Sequence, residues 1–510
     1  MGLIESFLHA FETPRWGVHP DDHKRPAADA PVRQMPLPNK LYIPLQQHVG
    51  QPARPIVVVG QKVLKGALIA EPQGRISAPV HASTSGTVVA IGDITAPHPS
   101  SLPVMAITIE ADGDDQAQES DIPNDPFALP PGRIADLVAA AGVVGLGGAT
   151  FPSAAKLALG KRSKVTTLIV NGGECEPYLS CDDRIMRDHA PDVVDGIRLM
   201  MHAIGAKEAL VGIERNKPEA IASMRRAAAA FGEIRVCPVP VRYPMGSDRQ
   251  LIQTLTGKEV PSDCRAADVG VLVNNVSTAN AVHRAIRHGE PLIRRILTLN
   301  GGAIWQPGNV MAPVGTLVSD LLAFVGVKSE PARLIMGGPM MGTVLPHGEV
   351  PIVKGTAGIL AFNDDEIVIP EAASCIRCGS CTNVCPVGLL PLEMAANIRV
   401  DKLQEAAALG LSDCISCGCC AYICPSHIPL VQYFSHAKGE LWAQERGKLR
   451  MEATRKLSAE RSLRLEREAR EKAEIAARRK AEREAAKRAE AAREHKTGAL
   501  EAEASTETVT

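Results

Sequence analysis

The 510-residue sequence predicts a multidomain α/β protein that ends in a charged helical or disordered tail. Three observations support this prediction. Short apolar segments separated by glycines, from Val57 to Gly92, indicate β-strands and turns. Apolar strand-like runs and helical patterns follow one another through residues 131–300, as in an open α/β sheet. Nine of the thirteen cysteines lie between Cys375 and Cys424, which is typical of a small metal-binding domain.

Changes in composition divide the chain into five predicted parts. At about 150 residues per domain, this length allows roughly three domains with smaller segments between them. The predicted parts are an N-terminal β module in residues 1–130, an α/β domain in 131–300, a Gly-rich segment in 301–362, a cysteine-rich domain in 363–446 and a charged tail in 447–510.

Composition and the N-terminus exclude several classes of protein. The 56 basic and 57 acidic residues give a net charge of −1, so the overall charge does not predict a nucleic-acid-binding surface. No apolar run approaches the ~20 residues that span a bilayer. The first ten residues, MGLIESFLHA, lack the basic and long apolar regions of a signal peptide. We therefore expect a protein without a transmembrane segment that stays in the cytosol.

The clustered cysteines form two runs of one spacing, C-x₂-C-x₂-C-x₃-C followed by proline. The first runs from Cys375 to Pro386, and the second from Cys414 to Pro425. In bacterial two-cluster ferredoxins, three thiolates of one run hold a [4Fe–4S] cluster and the fourth ligand comes from the other run. Zinc is the alternative, although zinc prefers C-x₂-C pairs to four-cysteine runs.

The spacing therefore predicts two [4Fe–4S] clusters with crossed ligands. One set is Cys375, Cys378, Cys381 and Cys424, and the other is Cys414, Cys417, Cys420 and Cys385. Gly379 and Gly418 follow the second cysteine of each run, where glycine permits unusual backbone angles and brings amides near the sulfurs. Cys419 lies outside the spacing and is expected to be a spare thiol. The 28 residues between Cys385 and Cys414 include an amphipathic pattern that predicts a helical insertion.

A glycine-rich segment, VVGLGGATFPSAAKL from Val143 to Leu157, leads into a predicted helix that starts near Pro152. Glycines before a helix present free N–H groups to a phosphate, and Lys156 would add a positive charge. The segment does not read G-x-G-x-x-G, so an ordinary dinucleotide fingerprint is not predicted. A purely structural glycine turn is the alternative.

Polar side chains follow two apolar runs, TLIV and VGVLV. The candidates are Asn171, Glu174 and Glu176 after the first run, and Asn274, Asn275 and Thr278 after the second. Open α/β sheets bind ligands at the carboxyl ends of their strands. Amide side chains both donate and accept hydrogen bonds, which suits the polar edge of a flavin. Simple helix capping by each asparagine is the alternative.

The segments GLGGATFP…K, NGGECEP…DDR and NNVST resemble the flavin- and NADH-binding subunit of respiratory complex I and related diaphorases. The resemblance implies an FMN and NADH site formed by Gly145, Gly147, Gly148, Phe151, Lys156, Asn171, Glu174, Glu176, Asn274, Asn275 and Thr278. Leu146, Gly173 and Tyr178 replace the Arg, Asp and Gly of that family, and its own single-cluster cysteine set is absent. No side chain is predicted to act as a catalytic acid or base.

The flanking parts also resemble known modules. Val57 to Gly92 is similar to a biotinyl/lipoyl-type β fold without a carrier lysine, and we expect a structural or interface role. Gly308 to Val327 resembles the β-grasp segment that follows the flavin domain in diaphorases. After Met451 the chain is rich in Ala, Glu, Lys and Arg without an apolar seam, so we expect a solvated helix or a disordered tail rather than a coiled coil. Residues 498–510 are expected to be disordered.

The order of these parts resembles the C subunit of Rnf-type ion-translocating electron transport complexes. The resemblance implies a peripheral NADH-linked oxidoreductase subunit on the cytoplasmic face of the bacterial inner membrane. It would exchange electrons between NAD(H) on one side and ferredoxin or partner subunits on the other, through FMN and two [4Fe–4S] clusters. The partner subunits would include integral membrane subunits and iron–sulfur or flavin subunits. NADH gives up two electrons together and a cluster accepts one, so a flavin belongs between them.

Two other functions fit the same motifs. One is a diaphorase subunit of a soluble hydrogenase or formate dehydrogenase. The other is a flavin-free electron-relay subunit whose upstream motifs no longer bind a cofactor. A purified chain with about eight irons but no FMN would favour the relay, since two [4Fe–4S] clusters hold eight irons.

Overall fold

The computed structural model describes residues 16–98, 100–368 and 370–504, with side chains up to residue 496. The N-terminal MGLIESFLHA segment, on which the signal-peptide expectation rests, lies outside the described residues, as do residues 505–510. The chain divides into two compact units between Phe434 and Ser435. The first unit contains four β-sheets, and the second is the greater part of one long helix.

The N-terminal part is a β module of two antiparallel sheets, in the order β2-β8-β7-β4 and β3-β5-β6. Its strands are β2 Lys40–Pro44, β3 Arg54–Pro55, β4 Lys62–Val63, β5 Leu68–Glu71, β6 Val80–His81, β7 Gly86–Thr95 and β8 Pro103–Ala111. A short strand before them, β1 Arg33–Gln34, belongs to a different sheet. Alternate residues of β2 and β8, including Leu41, Ile43, Ile107 and Ile109, are fully buried in one core. The predicted strands between Val57 and Gly92 are confirmed.

The central part contains a four-stranded parallel sheet. Its strands are β9 Thr167–Gly172, β10 Glu208–Glu214, β11 Ile234–Val239 and β12 Val271–Asn275, in the order β11-β10-β9-β12. Ile169 packs into a core on one face, whereas Leu168 and Val170 pack into a larger core on the other. Burial on both faces explains why these strands are nearly continuous apolar runs.

Helices cover both faces of this sheet. They are α1 Pro131–Ala140, α2 Ser153–Arg162, α3 Cys181–Asp188, α4 Ala190–Ile204, α5 Pro218–Ala228, α6 Asp248–Thr256 and α7 Val276–Arg287, with 3₁₀ turns at Pro126–Ala128 and Ala266–Val269. The helix predicted to start near Pro152 is α2, which begins one residue later.

A six-stranded mixed sheet follows, in the order β1-β14-β13-β17-β15-β16. Its later elements are β13 Arg294–Asn300, β14 Gly308–Pro313, α8 Val318–Val325, β15 Arg333–Met336, β16 Thr343–Leu345, β17 Gly358–Phe362 and a 3₁₀ turn at Asp364–Glu366. β13 pairs antiparallel with β14 and parallel with β17. The sheet thus joins strands from both sides of the predicted boundary at residue 300, because β13 belongs to it. The β-grasp and biotinyl/lipoyl assignments stay predictions.

The helices between Cys375 and Cys424 are short. They are α9 Ser380–Asn383, α10 Pro391–Ile398, α11 Leu403–Ala408, a 3₁₀ turn at Leu411–Asp413 and α12 Cys419–Tyr422. The helical insertion predicted between Cys385 and Cys414 is confirmed, as α10 and α11. Met394, Ile398, Leu403 and Ala406 form its buried side.

The charged tail is helical. α13, Leu430–Ala504, begins 17 residues before the predicted start of the tail at residue 447. Its described side chains beyond residue 451 are exposed, and pairs such as Arg470–Glu474 and Arg478–Glu482 join successive turns. The expectation of disorder was wrong for residues 498–504, where the Ala- and Glu-rich sequence GALEAEA continues the helix. Within the described part, no helix combines the length and hydropathy that crossing a membrane requires.

Candidate flavin and iron–sulfur sites

The first candidate site lies where the direction of the parallel sheet reverses. From β9 the chain adds β10 and β11 on one side, and β12 then lies on the other side of β9. Asn275 of β12 is in register with Asn171 of β9, so both lie near the carboxyl ends of adjacent strands. This is the switch point at which open α/β sheets bind ligands.

The glycine-rich loop closes over this point. Gly145 donates its N–H to the Phe151 carbonyl at 2.8 Å, and Leu146 donates its N–H to the Thr278 hydroxyl at 2.9 Å. A Cβ at Gly147 would lie 3.2 Å from that of Asn275. Gly148 has a φ of +112° and open space on its Cβ side. The loop therefore needs glycine to approach β12 closely and to turn.

The predicted asparagines divide into two groups by their partners. Asn275 caps α7, since its Oδ1 accepts the Ser277 N–H at 2.7 Å, and its Nδ2 donates to Asp182 at 2.6 Å. Asn171 accepts the Gly173 N–H and donates to the Gly246 carbonyl. The buried Nδ2 of Asn274 has no partner. Asn275 and Asn171 hold the crevice in shape, whereas Asn274 has a donor left for a ligand.

The acidic loop after β9 is deeply buried. The Glu174 carboxylate accepts the N–H groups of Asp182 and Asp183 in the first turn of α3, at 2.9 and 3.4 Å. Burial raises the pKa of the Glu174 carboxyl to about 7 and, likewise, that of Glu176 to about 7. Glu176 accepts the Met340 N–H at 3.0 Å from the turn between β15 and β16.

A lysine from the N-terminal segment holds this loop. Lys24 Nζ donates to the carbonyl oxygens of Glu174 and Glu176, both at 2.9 Å, and to that of Leu179. Burial lowers the pKa of Lys24, against the attraction of the Glu174 carboxylate. The side chain is 8% exposed, so it is a structural cation of the loop rather than a surface charge.

Lys156 lies on α2, beyond the glycine-rich loop. Desolvation raises the pKa of the Asp248 carboxyl at the start of α6, and the charge of Lys156 opposes that rise. The positive charge of Lys156 therefore attracts the Asp248 carboxylate of α6.

These residues fit a flavin nucleotide. At the crevice, the Asn274 amide and the Ser153 hydroxyl, which begins α2, are buried without partners. Buried polar groups in proteins are nearly always hydrogen-bonded, so two free groups beside a glycine-rich loop indicate a polar ligand. The groups that would hold FMN are the glycine-rich loop, Asn274, Ser153 and the N-terminal turn of α2.

The second candidate site is a pair of cavities, each lined by four of the predicted cluster ligands. One cavity is lined by Cys375, Cys378, Cys381 and Cys424, which we call the outer set. The other is lined by Cys385, Cys414, Cys417 and Cys420, which we call the inner set, and also by Cys419, which is not a predicted ligand. Each cavity thus combines three cysteines of one run with the fourth of the other. The structure thus brings together the same thiols that the crossed pattern assigns to one cluster. The ligand assignment itself stays a prediction.

The two cysteine loops repeat one backbone geometry. Arg377 and Ser416, each two residues after the first cysteine of its run, both have positive φ, at 57° and 55°. Gly379 and Gly418 have φ of 77° and 84° and begin short helices. The first thiol of each run accepts an amide N–H at 3.4 Å. Amides directed at sulfur are a feature of iron–sulfur loops.

A single metal ion fits these loops less well than a cluster. Among residues 16–98, 100–368 and 370–504, no three His, Cys, Asp or Glu side chains converge as ligands of one ion. A cubane instead takes each of its four thiolates at a different iron, so its ligands surround a cavity.

The parallel-sheet domain and the inner set lie in contact. Tyr243 is 2% exposed, and its hydroxyl donates to the Cys417 carbonyl at 2.7 Å. Gln250 of α6 donates to the Pro386 carbonyl at 2.8 Å. Cys419, the predicted spare thiol, is fully buried against Tyr243 and Val18 and has its Sγ 3.8 Å from the Tyr243 carbonyl. These contacts attach the inner set to the parallel-sheet domain.

Sequence reasoning missed several residues that build this site. Lys24, Tyr243 and Gln250 lie far along the chain from the motifs that they hold, and no local pattern marks them. The Gly- and Met-rich stretch from Leu334 to Leu345 is another such case. Its Met340 joins the apolar cluster that contains Tyr243 and Cys417. These contacts are set by tertiary packing.

Three family models match the chain. They are described as RnfC Barrel sandwich hybrid domain, over residues 12–114, Nuo51 FMN-binding domain, over 138–284, and 4Fe-4S dicluster domain, over 374–428. Together with the two sites, they define the class: a flavin and iron–sulfur protein of electron transport, with FMN and 4Fe-4S domains in one chain.

The particular family follows from curated relatives. The chain is 49% identical over 436 residues to the C subunit of the ion-translocating oxidoreductase complex of Rhodobacter capsulatus, covering 85% of this chain and 84% of the relative. The C subunit from Pseudomonas aeruginosa is 49% identical and that from Edwardsiella ictaluri 45%, and these alignments cover 57% and 54% of the relatives. The chain belongs to the family of C subunits of ion-translocating oxidoreductase complexes, and it spans little more than half of the longer members.

Two solved structures of NAD⁺-reducing [NiFe]-hydrogenase are also similar. The air-oxidized form has a TM-score of 0.42 at 20% identity, covering 59% of this chain and 60% of that one. The H₂-reduced form has a TM-score of 0.45 at 18% identity and covers 63% of each chain.

Proposed function

We propose that this protein is the NADH-linked electron-transfer subunit of an ion-translocating oxidoreductase complex. It passes electrons between NAD(H) and partner subunits through FMN and two [4Fe–4S] clusters. The observation that carries the proposal is the direct contact between the parallel-sheet domain, which contains the flavin-type crevice, and the loop of the inner cysteine set. Without that contact the two cofactor domains would be separate modules, whereas here Tyr243 joins them by a 2.7 Å hydrogen bond to Cys417.

The contacts support an order for the two cysteine sets. The inner set is attached to the parallel-sheet domain through Tyr243 and Gln250, and Gly17 donates its N–H to the Val384 carbonyl at 2.9 Å. The outer set includes Cys375 and Cys378, which are exposed, and the intervening Ile376 is 69% exposed. We propose that the inner set lies next to the flavin in the electron path and that the outer set faces the partner.

The cofactors supply the redox chemistry, because FMN exchanges either one or two electrons and each cluster exchanges one. The side chains of this protein position these groups. The glycine-rich loop and Asn274 bind the flavin, Lys24 fixes the acidic loop, and Tyr243 holds the Cys417 loop. We assign no side chain a role as catalytic acid or base.

Membership of the family supports a proposal for the partners and the location. The name of the relatives describes a subunit of an ion-translocating complex. We propose that this chain binds integral membrane and iron–sulfur or flavin subunits of such a complex at the cytoplasmic face of the inner membrane. Ferredoxin is the proposed partner at the other end of the electron path.

Anaerobic titration of the purified protein with NADH tests this function. We expect loss of flavin absorbance, followed by EPR signals of reduced clusters. The matched control is a chain with Cys385→Ser and Cys424→Ser, which removes one predicted ligand from each cluster. Its flavin should still be bleached, while the cluster signals disappear.

Two results would contradict the proposal. If the protein holds about eight irons but no FMN, and NADH leaves the clusters oxidised, it is a relay without its own NADH site. If NADH reduces the flavin but electrons never reach the clusters in the unaltered protein, the crevice and the inner set do not form one path.

A further inference from the structure

Another cavity lies beside the glycine-rich loop, between α7 and β13. It has a volume of about 50 Å³, and its lining includes Leu146, Ser277, Asn280, Arg284 and Arg295. A water molecule needs roughly 10–15 Å³ of such space, so the cavity has room for about three to five waters or one small polyatomic group. Because arginine and amide side chains reach it, a polar occupant is expected.

Arg295 has no counter-ion in contact with it. The residue is 4% exposed, its Nε donates to the Thr356 carbonyl at 3.2 Å, and its buried Nη2 has no partner. The carboxylate of Asp182 attracts its charge, but the oxygens of that carboxylate already accept from Asn275 and Ser277. A buried guanidinium stays charged, and leaving it unpaired is strongly destabilising. An anion in the cavity would remove this cost.

The other charges around the cavity are also mainly positive. Arg284 and Arg294 share one carboxylate, that of Glu290. With Arg295, three guanidinium groups face a single acidic side chain in the lining. The Oδ1 of Asn280 has no partner either, and an amide can present its donor group to an anion when it is turned over. The excess of positive charge therefore favours an anionic occupant.

We propose that this cavity binds a phosphoryl group, with Arg295 as its principal ligand. The inference rests on the proposed FMN site and deepens it, because Leu146 of the glycine-rich loop and Ser277 beside Asn275 border both the cavity and the crevice. The phosphate of FMN can enter while its ring lies at the carboxyl ends of β9 and β12. The N-terminal turn of α7 adds the positive end of a helix dipole. The other source of the same chemistry is inorganic phosphate.

Flavin binding with and without the phosphate tests the site. The protein is freed of flavin, and the affinities of FMN and riboflavin are measured for the unaltered chain, Arg295→Gln and Arg75→Gln. Arg75 is an exposed arginine of the N-terminal β module and controls for the loss of a charge. We expect Arg295→Gln to weaken FMN about 10- to 100-fold, as charged hydrogen bonds do, and to leave riboflavin within about twofold. Arg75→Gln should change neither affinity.

Further measurements separate the remaining outcomes. Iron content establishes that Arg295→Gln is folded, and Arg295→Lys should restore part of the FMN affinity. If the unaltered chain prefers FMN to riboflavin, and inorganic phosphate competes with FMN alone, the site takes the flavin phosphate. If the two flavins bind equally while phosphate binding still needs Arg295, the site takes free phosphate.

Two results would overturn the proposal. The first is that Arg295→Gln weakens FMN and riboflavin equally, or weakens neither, and that inorganic phosphate binding does not depend on Arg295; the cavity then holds only water and Arg295 is structural. The second is that the unaltered chain binds neither flavin, in which case the proposed function fails together with this inference. If the chain binds both flavins, and Arg295 affects neither the difference between them nor phosphate binding, only this inference fails.

Discussion

At the residue scale, similar side chains do different work according to their partners. Asn274 and Asn275 are adjacent and both buried. Asn275 uses its groups to cap α7 and to bind Asp182, whereas Asn274 keeps a free donor. Helix capping, which the sequence left open as the alternative to ligand binding, is therefore the role of Asn275.

Gly147→Val is expected to remove FMN while sparing the clusters. A Cβ at this position would lie 3.2 Å from the Cβ of Asn275, so the larger side chain must move the loop or β12. We expect FMN affinity to fall about tenfold or more, equivalent to about 1.4 kcal/mol, with iron content unchanged. The matched control is Gly232→Val, because a Cβ at Gly232 has nothing within 4 Å. Equal loss of flavin and iron, or of neither, would count against the flavin site.

At the element scale, the cysteine domain is built from two copies of one loop and helix. Matching positions have matching backbone angles, as at Gly379 and Gly418. α9 and α12, which follow these glycines, bring each loop toward the end of the other run. The crossed arrangement of the cavities follows from this exchange, since the fourth cysteine of each run lies beyond its own short helix.

Single cysteine substitutions can test the crossed arrangement. Cys385→Ser should perturb the same EPR signal as Cys417→Ser, because both thiols line the inner cavity. Cys381→Ser should perturb the other signal, since Cys381 lines the outer cavity. Cys237→Ser, at a cysteine of β11 that lines neither cavity, is the control and should leave both signals and about eight irons in place. If Cys385→Ser and Cys381→Ser affect one and the same signal, each run holds its own cluster.

At the scale of the whole molecule, one buried lysine joins three parts of the first unit. Lys354 lies 1% exposed beside the six-stranded sheet, and its Nζ donates to the carbonyls of Pro79 and Gly142 at 2.8 and 2.7 Å. Pro79 belongs to the β module, and Gly142 follows α1 just before the glycine-rich loop. Burial lowers the pKa of Lys354 to about 7, since no carboxylate compensates for its charge. The next residue, Gly355, packs against Thr150 of the glycine-rich loop.

Lys354 should make stability rise with pH. Between pH 7 and 8.5 the folded lysine loses its proton, while the unfolded lysine, with an ordinary pKa near 10.5, keeps it. The unfolded state then binds more protons, so the free energy of unfolding increases by about 1.5 kcal/mol over this range. Urea unfolding of the unaltered chain and of Lys354→Met measures the effect as a difference in pH slope.

The comparison with Lys354→Met also removes contributions from other groups. The raised pKa values of Glu174 and Glu176, about 7, lower stability as the pH rises through that value, and they do so equally in both chains. Lys40→Met, at an exposed lysine of β2, is the control for the loss of a positive charge. Parallel pH profiles for the unaltered chain and Lys354→Met would show that the buried amine does not titrate in this range.

Local patterns predicted much of the fold and of the candidate sites. The strands of the β module, the parallel strands before Asn171 and Asn274, and the helices between the cysteine runs follow from apolar periodicity within short windows. The disorder expected for residues 498–504 was wrong, because their helix propensity continues the helix of the charged run. The membership of β13 in the six-stranded sheet was also missed, since strand pairing over long distances leaves no mark in the local sequence.

The sequence by itself determined the chemistry that this protein can hold. Two four-cysteine runs, a glycine-rich loop and asparagines after apolar strands are local features, and local spacing is enough to specify their ligands. Only the tertiary structure decided which groups meet. It joined Tyr243 to Cys417, Lys24 to the acidic loop and Arg295 to a cavity beside the glycine-rich loop. Such contacts depend on how sheets and helices pack, and residues more than a hundred positions apart carry no shared pattern in one sequence.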